Sequence, residues 1–378
     1  MRVTRRRFVA VAGLGAVAGC TGGADSGTRT GTGTGPRTGA DTSTATEPSA
    51  GASVPVDETV PTAEETLPLP MGGDELRSRA VSGGPPKDGI PSIDDPKFVG
   101  SDAVDFLDPG DPVFGVVHNG VVKAYPQKIL VNHEIVNDHL DDLPVAVTYC
   151  PLTGTVQGFE RGETTFGVSG RLINNNLIMY DRATETWWPQ ILATSIPGPW
   201  NDLPSTRSLR EFGLVWTTWG SWRETHPDTQ VLSTDTGSAQ NYGRDPYGSY
   251  NPLRGYYKNG NTLFETLEED DRFDRKHVVL GARTPDGAVA FDKATLLDEG
   301  IMTGELARTP VVAVADPRLD TGYVYLNPEE RTVTANGTTV SVGGSSHDPT
   351  TLPLTRLHTF DAMWFAWHGY YPETDVYA

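Results

Sequence analysis

Cysteine is nearly absent from this sequence, with only Cys20 and Cys150 in 378 residues. Two cysteines that lie 130 residues apart exclude a disulfide framework, a Cys-x-x-Cys dithiol couple and a cysteine-rich zinc site. A chain of this length buries enough apolar surface to fold without such cross-links. We therefore expect a hydrophobic core to hold the fold, and Cys150 to be either buried and inert or functional.

Lysine is also scarce, and acidic residues outnumber basic ones by 49 to 30, which leaves a formal net charge of −19. No basic patch interrupts the acidic sequence, so nucleic acid and anionic lipid headgroups are excluded as partners. A metal cation or a small molecule remains as a partner. A surface rich in short carboxylates and poor in lysine is typical of proteins from brines, where salt screens self-repulsion. The composition thus predicts a halophilic archaeon as the source.

Long hydrophobic runs are missing too. The apolar stretch at residues 8–18 is too short to span a membrane, which takes about 20 apolar residues. Thr-Arg-Arg-Arg-Phe-Val at residues 4–9 resembles a twin-arginine export signal, and Val-Ala-Gly-Cys at residues 17–20 resembles a lipobox. The pattern predicts a signal peptide over residues 1–20 and a lipid on Cys20. We expect an extracytoplasmic protein that this lipid alone anchors to the outer face of the cytoplasmic membrane.

Large apolar side chains are rare from residue 21 to residue 86, where Gly, Thr, Ser, Pro and Ala dominate. Such a composition cannot bury enough surface to offset the chain entropy of folding. It predicts a disordered stalk over residues 21–86 that carries a globular domain over residues 87–378.

The pattern within this domain alternates between apolar and polar residues with frequent turns, which predicts a β-rich α+β fold. Asn-Gly at residues 119–120, between two Val-rich segments, predicts a hairpin. A helix is predicted to start after Pro126 and to run through Asp138. The β-branched segment before Cys150 predicts a strand that ends at this cysteine.

The same order of motifs occurs twice in the domain. Residues 115–130 resemble residues 281–296, and a Trp-x-x-Trp motif recurs at residues 219 and 364. We predict a two-fold internal repeat of short strands and hairpins with a few helices, which forms one pseudo-symmetric domain. Its parts are repeat one over about 112–233, a joining segment over about 234–277 and repeat two over about 278–378. The Trp pairs occur in both halves, so we interpret them as core packing.

Side chains that could bind a ligand or take part in catalysis are concentrated in the first repeat. These side chains are the functional candidates. They are Cys150, His133, Glu134, Met179, Asn175 and Asp181. Cys150 stands where the second repeat has Asp316. A thiolate with an imidazole, and with the thioether of Met179, suits copper. Alternatively His133 activates Cys150 as a nucleophile, or both residues only pack in the core, and the spacing does not decide among these three.

Several segments together resemble the "domain of unknown function 3179" family over essentially everything after the stalk. They are His-Glu-Ile-Val-Asn-Asp at 133–138, Val-Thr-Tyr-Cys-Pro-Leu at 147–152, Phe-Gly-Val-Ser-Gly at 166–170, Met-Tyr-Asp-Arg at 179–182, Thr-Thr-Trp at 217–219 and Tyr-Gly-Arg-Asp-Pro-Tyr at 242–247. The resemblance implies no particular activity. Relatives commonly have Cys-Pro-Leu-Cys where this chain has Cys-Pro-Leu-Thr at 150–153. Thiol–disulfide exchange within the motif is therefore excluded, because it needs two sulfurs.

The preferred hypothesis is an extracytoplasmic ligand-binding module with a soft-metal site, copper being the candidate, around Cys150 and His133. One alternative is an enzyme that depends on Cys150 and acts on a cell-envelope substrate. Another is a structural or adhesive surface protein. Separately, Asn-Gly-Thr at residues 336–338 predicts a glycosylation site at Asn336 on a surface turn.

Overall fold

β-Strands make up most of the regular structure in residues 59–378, the part of the chain that the computed structural model describes. The helices there are short: α1 Gly73–Ser78, α2 Gln127–His133, α3 Trp219–Thr225, α4 Lys293–Glu299 and α5 Trp364–Tyr370. None of the helices in this part of the chain combines the length and the apolar content that crossing a membrane requires. The β-rich fold with few helices is confirmed. The predicted signal peptide, Cys20 and residues 21–58 lie outside the described residues.

The strands fall into a first half, a short hairpin and a second half. The first half contains β1 Val81–Ser82, β2 Phe98–Gly100, β3 Pro112–His118, β4 Val121–Pro126, β5 Ile135–Leu140, β6 Leu143–Cys150, β7 Thr155–Glu160, β8 Phe166–Ile173, β9 Asn176–Asp181, β10 Trp187–Pro189, β11 Glu211–Phe212, β12 Val215–Thr218 and β13 Gln230–Leu232. The hairpin consists of β14 Gly248–Tyr250 and β15 Leu253–Gly255. The second half contains β16 Val278–Thr284, β17 Gly287–Asp292, β18 Ile301–Leu306, β19 Thr309–Asp316, β20 Thr321–Leu326, β21 Val333–Asn336, β22 Thr339–Val342, β23 Ser345–His347, β24 Thr355–Arg356, β25 Thr359–Met363 and β26 Asp375–Tyr377.

The hairpin of β3 and β4 forms the centre of the first large sheet. Asn119 and Gly120 have φ angles of 47° and 84°, the left-handed pair that a two-residue turn between twisted strands needs. The sheet order is β12-β3-β4-β13-β2, with β13 parallel to β4. The hairpin predicted from Asn-Gly is confirmed.

The helix predicted after Pro126 ends earlier than expected. α2 stops at His133, and Glu134 turns into the left-handed region with a φ of 59°. Ile135 then starts β5 and lies opposite Thr148 of β6. Ile135 and the following valine are fully buried, and two adjacent apolar residues fit either a helix or a strand buried on both faces. The helix prediction through Asp138 was therefore wrong at its end.

A meander of β5, β6 and β7 places Cys150 in the interior. The sheet order is β11-β7-β6-β5, and Cys150 ends β6 opposite Thr155, as predicted. A third sheet of order β1-β8-β9-β10 follows. Its hairpin turns at Asn174 and Asn175, whose φ angles are 52° and 60°.

The second half contains a similar order of elements. β16 and β17 form a hairpin, α4 follows, and β18 to β20 form a meander. The hairpin sheet has the order β25-β16-β17-β26, with β26 parallel to β17. The meander sheet has the order β18-β19-β20-β24, and a separate sheet has the order β21-β22-β23.

Tryptophans attach a helix to each hairpin sheet. Trp222 of α3 is 1% exposed and Trp367 of α5 is fully buried. A Cβ on Gly115 or on Gly281 would lie 2.1 Å from the ring of Trp222 or Trp367, respectively. Each indole therefore fills the space above a glycine. The interpretation of the Trp pairs as core packing is confirmed.

Residues 59–86, predicted as part of the stalk, are folded. Leu76 in α1 is fully buried and Val60 is 1% exposed. The backbone N–H of Ala63 donates to the carbonyl of Ser208 at 2.8 Å. The apolar residues of this stretch are few, but they lie in the same core cluster as β8 and β9. The prediction averaged the composition over residues 21–86, and these few apolar residues did not stand out in the average. The stalk prediction is therefore corrected for residues 59–86.

Candidate functional site

Cys150 is buried where the first half of the domain meets the second. Its side chain is 1% exposed and lies in one core cluster with Met363 of β25. The thiol donates to the carbonyl of Asn175 at 3.5 Å and accepts from the N–H of Leu177 at 3.4 Å. Burial, and secondarily the carboxyl of Glu134, raise the pKa of the thiol from 9.0 to about 11. The thiol is therefore protonated at neutral pH unless a ligand stabilises the thiolate.

Glu134 lies beside this thiol because its backbone joins the end of α2 to the end of β6. Its N–H donates to the carbonyl of Leu130, and its carbonyl accepts from the N–H of Tyr149, both at 2.7 Å. The residue is 7% exposed, and its carboxyl forms no hydrogen bond or ion pair with any group in residues 59–378. Burial raises the pKa of this carboxyl from 4.5 to about 8. Its oxygens are not among the fully enclosed polar atoms without a partner, so the carboxyl keeps a narrow contact with solvent. An acid whose pKa is raised in this way is a candidate for a functional group.

The second half shows what this backbone position normally requires. Gly300 ends α4 with a φ of 81°. Its N–H donates to the carbonyl of Leu296 at 2.8 Å, and its carbonyl accepts from the N–H of Ala315 at 2.9 Å. Glycine is the usual residue at a left-handed helix end, because a Cβ there is strained. A glutamate in this conformation makes the fold less stable than a glycine would. The difference that it brings to the position is its carboxyl side chain.

Tyrosines of the joining segment cover the acid and the thiol. The hydroxyl of Tyr256 donates to the carbonyl of Leu152, just after Cys150, at 2.7 Å. Burial raises the pKa of Tyr247, and the nearby Glu134 and Cys150 raise it further. No positive charge is among the causes that shift the pKa values of Glu134, Cys150 or Tyr247. The nearest cation to these tyrosines is Lys276, which donates to the carbonyl of Tyr256 at 2.6 Å.

A hydrogen-bonded network borders the acid and the thiol. The side-chain amide of Gln127 donates to Asp245 at 2.9 Å and to the hydroxyl of Tyr149 at 3.3 Å. Tyr257 also donates to Asp245, at 2.9 Å, and stacks on Tyr250 with ring centroids 3.9 Å apart. A cavity of about 350 Å³ opens beside Gln127, Asp245 and Tyr250. No sequence pattern placed Gln127 in this network, whereas the tyrosine-rich loop at residues 242–257 is visible in the sequence as an aromatic, glycine-containing segment.

His133 does not join the site. The ring is fully buried, its Nδ1 bonds to the carbonyl of Pro91 and its Nε2 bonds to the hydroxyl of Tyr242, each at 2.6 Å. Burial lowers the pKa of the imidazole, which the Pro91 carbonyl partly offsets. Both ring nitrogens are thus engaged, and neither bonds to Cys150. The charged group that acts on the pKa of Cys150 is Glu134, not His133.

The other predicted residues have structural partners. Asp181 accepts from the backbone N–H of Thr184 at 2.6 Å and from the indole of Trp188 at 3.0 Å, which holds the turn after β9. Asn175 donates to the carbonyl of Phe264 at 3.0 Å and ties the joining segment to β9. Met179 is fully buried within the same core cluster as Cys150. Of these three, only Asn175 bonds to the thiol, through its backbone carbonyl.

Thr153 occupies the position where relatives have a second cysteine. It is fully buried, and its hydroxyl accepts from the side chain of Asn176 at 3.1 Å. The Thr153 side chain lies near enough to Cys150 to offset part of the rise in the thiol pKa. The hydroxyl therefore fills the place of the missing sulfur next to Cys150.

Within residues 59–378, no three side chains of His, Cys, Asp or Glu come together as a metal centre of such ligands alone would need. Any metal held by Glu134 and Cys150 therefore needs further donors from neutral groups. Asn336, the predicted glycosylation residue, is exposed and ends β21 at its turn into β22.

The described part of the chain is thus a β-rich domain with a buried acid–thiol pair at the junction of its halves. The model of the family "Protein of unknown function (DUF3179)" matches residues 87–374, and the chain belongs to this family. No curated protein and no solved structure matches the chain.

Proposed function

We propose that this domain is a ligand-binding module whose site is the pair of Glu134 and Cys150, and that its ligand is a thiophilic metal cation. The observation that carries the proposal is the carboxyl of Glu134. It is nearly buried, at 7% exposed, and stands on a left-handed residue where the second half has Gly300. A strained backbone and a desolvated acid persist in proteins chiefly at functional sites.

A cation explains the electrostatics of the site. Burial raises the pKa of Glu134 to about 8, and burial together with Glu134 raises the pKa of Cys150 to about 11. A bound cation stabilises the carboxylate and the thiolate, so it reverses both effects. A thiolate selects a soft or borderline cation, and the carboxylate beside it favours zinc over copper(I). The hydroxyl of Tyr247 supplies a further oxygen nearby.

The donor set differs from the one expected from the sequence. His133 is engaged at both ring nitrogens, so Glu134 takes its place in the proposed site. The burial and the raised pKa of Cys150 also weigh against a cysteine nucleophile, which needs an accessible and stabilised thiolate. No geometry in residues 59–378 favours an adhesive role.

Equilibrium dialysis of the purified full-length protein against Zn(II), with Cu(I) as a second probe, tests the proposal. We expect retention of about one equivalent, and its loss in Glu134→Gly and in Cys150→Ala. Glu330→Gly is the matched control, because Glu330 also has a positive φ, 48°, but is exposed. Failure of the parent protein to retain either ion, or equal retention by Glu134→Gly, would contradict the proposal.

We also propose that the module is displayed outside a halophilic archaeal cell. The support is the twin-arginine-like motif, the lipobox ending at Cys20 and the net charge of −19. Mass spectrometry of the membrane-bound protein tests this: a lipid on Cys20 as the first residue is expected, and an unmodified Cys20 contradicts the anchor.

A duplicated, pseudo-symmetric origin of the two halves is a further part of the proposal. It is supported by the sheet orders β12-β3-β4-β13 and β25-β16-β17-β26 and by the same glycine–tryptophan contact in both sheets. If the two halves are copies, Glu134 corresponds to Gly300 and Cys150 corresponds to Asp316.

A further inference from the structure

A second cavity, of about 400 Å³, opens at the other junction between the halves. Trp222 and His226 line it from the first half, at the end of α3. Asp316, Arg318 and Arg356 line it from the second half. It lies next to Asp316, the residue that stands at the end of β19 as Cys150 stands at the end of β6.

Arg318 is held rigidly at the wall of this cavity. Its Nε and Nη2 each donate to Asp316 at 2.8 Å, and its Nη2 also lies 2.8 Å from Asp348. These carboxylates raise the pKa of the guanidinium above its usual value. The Nη1 atom forms no hydrogen bond within residues 59–378. Arg318 therefore presents one free edge of a charged, oriented guanidinium.

Arg356 supplies a second positive charge to the cavity, where the carboxylates of Asp316 and Asp348 are bound to Arg318. The guanidinium carbon of Arg356 lies 4.2 Å from the centroid of the Tyr323 ring, and the side chain forms no ion pair or hydrogen bond within the described part of the chain. Acidic residues outnumber basic ones by 49 to 30 in this protein, so partners for an arginine are abundant. Arg356 is exposed to solvent, and its guanidinium donors are free to bind a ligand in the cavity.

The remaining lining decides the kind of ligand. Burial and the nearby Arg318 lower the pKa of His226, so its ring is neutral near pH 7. Val117, which is 55% exposed, and the partly buried Val215 contribute apolar surface. Small-molecule sites typically combine such apolar walls with a few fixed polar groups, in cavities of about 300–1,000 Å³. The charged donors that remain free here belong to the two arginines, and the neutral ring of His226 and the hydroxyl of Tyr323 add uncharged polar groups.

We propose that this cavity binds a small organic anion, with its carboxylate between Arg318 and Arg356 and its apolar body against Val117. The proposal is independent of the cation site at Glu134. Gly213 lines the same cavity, and a Cβ at this exposed residue would lie 3.7 Å from an Arg356 nitrogen. A larger side chain at Gly213 would thus fill the cavity without a clash.

Calorimetric titration of the full-length protein with benzoate tests the proposal, with benzamide as the uncharged analogue. We expect one saturable site for benzoate and no binding of benzamide. Arg356→Gln should weaken benzoate binding about tenfold, and Gly213→Leu should abolish it. Arg223→Gln is the matched control, because Arg223 is exposed on α3 but does not line the cavity.

Three results would overturn the proposal. They are the absence of saturable benzoate binding, equal binding of benzamide, and parent-like affinity in both Arg356→Gln and Gly213→Leu. Binding of inorganic sulfate as tightly as benzoate would overturn the assignment of an apolar body to the ligand. Because both substituted residues are exposed, the variants are expected to fold, and their melting curves verify this.

Discussion

Glu134 and Gly300 end two helices in the same backbone conformation, with φ angles of 59° and 81°. Both donate a hydrogen bond to the residue four positions earlier and accept one from the neighbouring strand. Only Glu134 carries a side chain, and that side chain is a buried carboxyl. In the first half this position therefore combines a strained backbone with a desolvated carboxyl. In the second half the glycine has neither.

Glu134→Gly should stabilise the protein when no ligand is present. The glycine relieves the left-handed strain, worth about 1 kcal/mol, and removes a desolvated acid. Urea unfolding curves of the parent and the variant measure the gain. Glu330→Gly should gain less, because Glu330 is exposed. A destabilised Glu134→Gly variant would show that the carboxyl has a structural partner.

The stability of the parent should fall as the pH rises from about 4.5 to about 8, the unfolded and folded pKa values of Glu134. Below this window the carboxyl is protonated in both states. Within it the unfolded state loses the proton first, so stability decreases by about 1.4 kcal/mol per pH unit from this group. The difference in unfolding free energy between parent and Glu134→Gly isolates the effect. A difference that is independent of pH would contradict the raised pKa.

Native Cys150 should resist iodoacetamide, because the thiol is 1% exposed and its pKa is raised to about 11. Glu134→Gln should lower this pKa, since the carboxyl is one of its causes. The extent of alkylation against pH, read by mass spectrometry in the native and the denatured protein, measures both. Rapid alkylation of the native parent at neutral pH would favour a cysteine nucleophile instead.

Thr153→Cys should strengthen the binding of a thiophilic cation about tenfold or more, because it adds a second sulfur next to Cys150. Thr153 is fully buried and its side chain lies near the thiol, so the new sulfur is close to Cys150. The titration is made under anaerobic conditions, with Thr153→Ser as the control. Unchanged affinity in Thr153→Cys would indicate that the cation does not contact Cys150.

Local patterns predicted much of the fold. Asn-Gly at residues 119–120 indicated a hairpin because its two residues adopt positive φ easily, and the β-branched run before Cys150 indicated a strand. The end of α2 was not predictable in this way. Glutamate is not a residue that usually ends helices, and Glu134 is there at a cost in stability.

The site was only half predicted, for a related reason. The sequence pointed to Cys150 and to Glu134, but it favoured His133 as the partner of the thiol. His133 instead bonds to Tyr242 and to Pro91, which are distant in sequence, and such long-range contacts leave no local pattern. The same holds for Tyr256, which covers the turn after Cys150.

The number of protons released when the cation binds tests the central claim most directly. At pH 7 both Glu134, with a pKa of about 8, and Cys150, with a pKa of about 11, are mainly protonated. A cation held by both must therefore displace about two protons per ion. Calorimetry of Zn(II) binding in buffers of different ionisation enthalpy gives this number. We predict about two for the parent and about one for any residual binding by Glu134→Gly; a parent that binds Zn(II) without releasing protons would contradict the account.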